Sequence, residues 1–284
     1  MHIIQNAKLK GVNLTLSDSR LLFSSQQALP LLQLKTDQCQ AIISLQGAQL
    51  LQFTPKNGKP WLYLDNQNSF VAGDAIIGGI PLCLPWFGHH SNKQWPIHGY
   101  AQTHQWHLEC IQQHPQYISL EFSYQHEATS AFPFRFLARH TMHLGETIQL
   151  RLQLDNQSQQ SLPLSFAWHT YFRLDATKQA HLSGLQQHVY LDNLQQLEHR
   201  QQQGLIQFGH ATDAVFEQTQ HAQLLDTGSH RLFIDGEHCP TCIVWQPAGE
   251  NAFACVERGF AFADSLQLDR QQQLRCSMQI KEIP

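Results

Sequence analysis

The chain has 284 residues, 18 Lys and Arg against 22 Asp and Glu, and a formal net charge of -4. Its basic residues are scattered, which leaves no electrostatic footprint for nucleic acid or an anionic membrane surface, and no apolar run is long enough to cross a bilayer. The N-terminal segment MHIIQNAKLKG lacks the apolar core of a signal peptide, so the expected location is the cytoplasm.

The predicted elements are strands almost throughout. Asn57-Gly58 is the first clear hairpin signal. The segment from Gly78 to Gly99, GGIPLCLPWFGHHSNKQWPIHG, then combines turn-forming Gly and Pro with the flat rings of Trp86, Phe87 and Trp95 and with several His. Flat aromatics beside hydrogen-bonding groups suit a sugar, whose C–H faces stack and whose hydroxyls need partners. Further on, Ile118, Leu120, Phe122 and Tyr124 alternate with polar residues, as do Ile148, Leu150, Leu152 and Leu154. That period of two predicts half-buried strands. Ser165–Phe172, SFAWHTYF, places His169 late in an apolar strand, and Asp213 in HATDAVFEQT reads either as a turn residue or as the start of a strand.

Gln-rich tracts at 157–160, 195–203 and 271–273 are short and read as polar loops, and Asp235-Gly236 reads as a turn. Cys239-Pro-Thr-Cys242 has C-x-x-C spacing, but no second ligand pair accompanies it and no βαβ context surrounds it, so it reads as a turn entering the strand Thr241 to Trp245. Seven Cys fit reduced thiols better than a disulfide framework. FACVERG, Phe253 to Gly259, puts Glu257 at a strand end, with Arg258 expected on the opposite face. Leu274, Cys276, Met278 and Ile280 alternate as a last strand. No internal repeat or linker interrupts the pattern. The expected architecture is all-β, a large antiparallel sandwich forming one domain over residues 1–284.

Taken in order, GGIPLCLPWFG, PIHGYA, WHTYF, the TDAVF segment, VWQP and CVERG resemble the aldose 1-epimerase superfamily, and most closely its hexose-6-phosphate mutarotase branch. The resemblance runs from about Leu22 to Ile280. It implies a galactose mutarotase-like β-supersandwich and a reaction that interconverts the α and β anomers of an aldohexose or hexose 6-phosphate, with no cofactor and no metal. By the same resemblance Glu257 is the base at the anomeric O1 proton and His169 the acid at the ring oxygen. His98 and Asp213 are sugar-binding partners, and Trp86 and Phe87 offer stacking faces. Catalysis then requires His169 cationic while Glu257 is ionised, with the proximity of opposite charges favouring both.

The chain departs from that branch at three positions. Ile77, Gln102 and Ala214 stand where Arg is usual, and Ile77 and Gln102 replace the residues that bind the sugar phosphate, so Gln102 and the loop residue Lys93 become the candidates at that end of the site. A non-catalytic sugar-binding module on the same fold is the alternative function. A two-His-one-carboxylate metal enzyme built on His98, His169 and Glu257 is a third reading.

Overall fold

The alternating apolar segments form the antiparallel ladders that their period requires. A computed structural model describes residue 4, residues 9–130 and residues 132–284, so most of the N-terminal segment MHIIQNAKLKG lies outside the described residues. A nine-stranded sheet contains the three alternating segments as Tyr117–His126, Ile148–Asn156 and Gln273–Ile283. A four-stranded meander runs Asn13–Asp18, Pro30–Lys35, Cys39–Ser44, Gln49–Pro55. The site is carried by an eight-stranded sheet in the order Glu198–Gln201, Val189–Asp192, Thr212–Phe216, Thr241–Gln246, Phe253–Phe260, Phe166–Trp168, Leu82–Cys83, with Tyr171–Arg173 also paired to Phe253–Phe260.

The two faces of this sheet have different fates. Leu82, Phe166, Trp168, Val244, Val256 and Phe260 point into the main hydrophobic core. Residues of opposite parity form two small satellite clusters instead: Cys83, Ala167, Val215 and Ile243 with Phe87 against them, and Tyr171, Phe253 and Cys255 with Tyr63 and Trp245. Glu257 has the parity of these clusters, whereas Arg258 takes the core face, as alternation requires. Arg258 is 1% exposed, and its guanidinium donates to the carbonyls of Thr219 and Cys239 and to the side-chain oxygens of Thr219 and Gln223.

Local readings of three segments are corrected. Asp235-Gly236 is no turn, because both residues are paired inside the strand Arg231–Glu237, to Gln279 and Met278. Glycine is required there for space, since a Cβ on Gly236 would meet Arg258 Nε at 2.7 Å. The tract at 195–203 contains an edge strand, Glu198–Gln201, whose four exposed side chains give no apolar signal. Glu257 lies within Phe253–Phe260 rather than at its end.

Candidate active site

His169 and Glu257 meet because two short strands share one register. Phe166–Trp168 pairs with Phe253–Phe260 as Phe166↔Phe260 and Trp168↔Arg258, and Tyr171–Arg173 continues as Tyr171↔Cys255. Counting along that register places His169 opposite Glu257. The ladder is interrupted there by a three-residue turn, in which the Thr170 N–H donates to the Trp168 carbonyl at 2.9 Å. His169 is therefore set at a break in the strand, with its Nδ1 3.6 Å from Glu257 Oε1. The approach needs Gly259, because a Cβ there would stand 1.9 Å from the Phe166 carbonyl oxygen.

Burial sets the charges. Desolvation, and then the nearby Asp213 carboxylate, push Glu257 well above the usual carboxylate range, while desolvation and then His98 hold His169 down to about 3. The expected mutual stabilisation of two opposite charges is thus outweighed by the cost of burying either charge. As a unit the pair holds one proton, either as acid and neutral imidazole or as carboxylate and imidazolium. Neither His169 Nδ1 nor Glu257 Oε2 finds a hydrogen-bond partner among the described residues, although both atoms are buried.

His98 completes one side of the pair. Its ring lies edge-on to His169 with centroids 5.3 Å apart. The Gly88 N–H donates to His98 Nδ1 at 3.0 Å, and the Gly88 carbonyl accepts from the His98 N–H at 2.9 Å. A backbone N–H can only donate, so Nδ1 carries the lone pair and the ring proton sits on Nε2 as a fixed donor. Burial, helped by His89, holds His98 down to about 4 and keeps it neutral. The loop can fold this tightly because residue 99 is Gly, with φ +74 and a virtual Cβ only 2.2 Å from the Leu84 carbonyl.

Asp213 lies on the same face. Its row is Asp213↔Trp245↔Cys255, one step along from Val215↔Ile243↔Glu257. Asn193 donates to Asp213 Oδ2 at 2.6 Å, and burial, outweighing that bond, raises the Asp213 carboxyl.

A family model described as aldose 1-epimerase matches residues 30–275. The chain belongs to the aldose 1-epimerase family. It is 29% identical over 242 residues to a protein of Escherichia coli strain K12 named “Putative glucose-6-phosphate 1-epimerase”, covering 79% of this chain and 81% of that protein. It is 30% identical over 237 residues to a protein of the same name from Cenchrus ciliaris, covering 78% and 71%. A crystal structure of a “putative mutarotase” from Salmonella typhimurium superposes with a TM-score of 0.81 at 24% identity, over 89% of this chain and 90% of that one. A galactose mutarotase-like protein from Clostridium acetobutylicum gives 0.77 at 12% identity over 97% and 99%. The fold is that of the galactose mutarotase-like proteins, and the family's activity is that of an isomerase.

Within this aldose 1-epimerase family chain, the predicted residues separate into two groups. His98, His169, Glu257, Asp213 and Phe87 converge, Phe87 being half-buried with its ring 5.0 Å from that of His98. Trp86 does not join them. It is 7% exposed, its indole N–H donates to the Pro96 carbonyl at 3.0 Å, and its ring packs among Trp95, Tyr100 and Phe132, so it is a core residue rather than a stacking face. Gln102 is buried, with one N–H of its amide committed to the Ile97 carbonyl at 3.0 Å. Lys93 is exposed in the loop and forms no ion pair or hydrogen bond among the described residues.

Sequence reasoning missed the residues that frame the pair. Tyr171 stacks on His169 with centroids 4.7 Å apart and planes 10° from parallel, and Trp245 stands edge-on to the same ring at 5.9 Å. Asn193 was unmarked because its link to Asp213 spans two strands. Only the WHTYF and VWQP segments carried a signal, and it did not say which aromatic faces the site.

Proposed function

We propose that the chain interconverts the α and β anomers of an aldohexose by general acid–base catalysis on the His169–Glu257 pair. The observation that carries this reading is a buried acid and a buried base 3.6 Å apart, on one sheet face, each with an unpartnered polar atom. Mutarotation requires two proton movements and no net charge change. Glu257 as carboxylate takes the anomeric O1 proton, and the O1–H electrons form the C1 carbonyl. The C1–O5 bond breaks, and its electron pair receives the proton of the His169 imidazolium. The pair thereby passes from its charged to its neutral form, still holding one proton, while the open aldehyde turns about C1–C2. Closure on the other face of the carbonyl runs both transfers backwards.

The surrounding residues assist in distinct ways. The Nε2–H of His98 donates to an oxygen at the ring-oxygen side. Asp213 accepts from a sugar hydroxyl, with Asn193 fixing its orientation. Trp245 and Phe87 supply apolar faces for the C–H surfaces of the sugar.

Exchange NMR between α- and β-glucose and between α- and β-galactose tests the reading, with a His169→Asn variant as comparison. The protein should accelerate exchange for at least one of the sugars, and the variant should lose about 10²–10⁴-fold, the range for one positioned acid or base. Binding without acceleration would assign the chain to the sugar-binding alternative.

A further inference from the structure

Glu257 lies between two apolar clusters on the site face of its strand. Cys255, two residues before it, belongs to the cluster of Tyr171, Phe253 and Trp245. Two residues after it, Gly259 has Ala167 as its cross-strand partner, and Ala167 pairs in turn with Cys83. On its other side Glu257 pairs with Ile243, which pairs with Val215. Cys83, Ala167, Val215 and Ile243 form the floor of the second cluster, and the half-buried rings of Phe87 and Phe262 pack against it. These rings are 6.2 Å apart, and from Phe87 the line of rings runs on to His98 at 5.0 Å and from there to His169 at 5.3 Å.

Phe262 reaches that position at a conformational cost. The strand Phe253–Phe260 ends with Phe260 in the main core, and Phe262 follows with φ +56, a left-handed backbone that suits Gly and that a bulky side chain rarely adopts. Contacts from the ends of two neighbouring strands hold the turn there. The Ala261 N–H donates to Thr241 Oγ1 at 3.0 Å, and Thr241 Oγ1 donates to Asp264 Oδ2 at 2.9 Å. The Gln218 N–H donates to the same Asp264 oxygen at 3.0 Å, and the Ala263 N–H donates to Glu217 Oε1 at 2.7 Å. With Gly at 262 this turn would form without strain, and the Phe ring fills no space in the main core, because it lies on the site-face cluster. Strain of this kind persists only where the surroundings over-determine it, and it concentrates at functional sites.

We infer that Phe262 is a positioning residue for the anomeric reaction: its ring closes the apolar wall beside Glu257 and keeps water from the acid–base pair. This inference rests on the anomer-interconverting reading above. Water admitted beside Glu257 would hydrate the carboxylate and compete with the sugar oxygens for the two proton-transfer groups. The titratable groups around Glu257 are His169, His98, Asp213 and the thiols of Cys83 and Cys255, which burial raises, while Arg258 lies on the opposite face and Glu217 and Asp264 are engaged by the turn. A substitution at 262 alters none of these charges, so a change in the titration of the pair reports water access.

The test measures anomer exchange of glucose and galactose by the wild type, Phe262→Gly and Phe262→Asn, with Phe262→Tyr and His169→Asn as comparisons. Gly and Asn both accept a left-handed backbone, so both variants should fold with thermal midpoints near that of the wild type. Their kcat/KM should fall about tenfold, and the alkaline limb of its pH profile should move down by about half a pH unit or more, because water stabilises the net negative form that the pair reaches on losing its proton. Phe262→Tyr retains the ring and should keep kcat/KM within about threefold, with the limb in place. Wild-type rates in the Gly and Asn variants, with catalysis lost in His169→Asn, would overturn the inference while leaving the acid–base reading intact. A slower reaction with an unmoved limb would overturn the exclusion of water, as would a Tyr variant as slow as the Gly variant. Unfolding of both the Gly and the Asn variants would show the ring to be a structural requirement and overturn the inference as well. No acceleration of either sugar by folded wild-type protein would overturn the acid–base reading, and the inference with it.

Discussion

Replacing Glu257 by Gln should abolish turnover and change the pH dependence of stability. The side chain is 1% exposed and Gln preserves its shape, so packing is retained while the base is lost. Activity should fall at least about 10³-fold, within the range for a positioned base. The stability effect follows from proton counting. Burial raises the Glu257 carboxyl, so the stability linked to its proton is fully present below the unfolded pKa, near 4.5, and is lost as pH rises toward the folded value. Below the folded value the pair holds one proton, whereas above about pH 7 the unfolded chain holds almost none on these two groups. Wild-type protein should therefore lose stability relative to the variant as pH rises toward the folded value, at up to ~1.4 kcal/mol per pH unit. Urea denaturation of both proteins from pH 6.5 to 9, paired with exchange NMR, measures the two effects. Parallel stability curves would refute the one-proton pair, and turnover within tenfold of wild type would refute the assignment of the base.

Gly259→Ala should destabilise by about 3 kcal/mol or more and lower activity, because its Cβ would meet the Phe166 carbonyl oxygen at 1.9 Å and separate the strands that carry His169 and Glu257; thermal melts and exchange rates report both losses, and a neutral substitution would contradict the close approach. Acidification should unfold the protein through His98 and His140, which burial holds down to about 4 each. His140 Nε2 accepts the Trp168 indole N–H at 3.2 Å, so protonation there breaks a buried hydrogen bond. Both folded values lie below the unfolded 6.5, so the stability present above pH 6.5 is lost as pH falls toward 4, at up to ~1.4 kcal/mol per pH unit for each group. Denaturation midpoints from pH 7 to 4.5 check this, and a flat profile would refute it.

The sequence by itself determined the class of fold and named the residues of the proposed chemistry. Alternation at Ile118–Tyr124, Ile148–Leu154 and Leu274–Ile280 specified paired strands, since a side-chain period of two can bury one face only as a sheet. The ordered motifs named His98, His169, Asp213 and Glu257, which the structure brings together. Tertiary structure decided what alternation cannot express. Trp86 and Phe87 are neighbours in a motif, yet adjacent side chains point in different directions, and only the packing of Trp95, Tyr100 and Phe132 around Trp86 made it core. Gly236 looked like a turn because its reason for being Gly is Arg258, a side chain reached only across the fold. The charges of His169 and Glu257 likewise followed from desolvation, which depends on everything packed around a group and on no single neighbour in the chain.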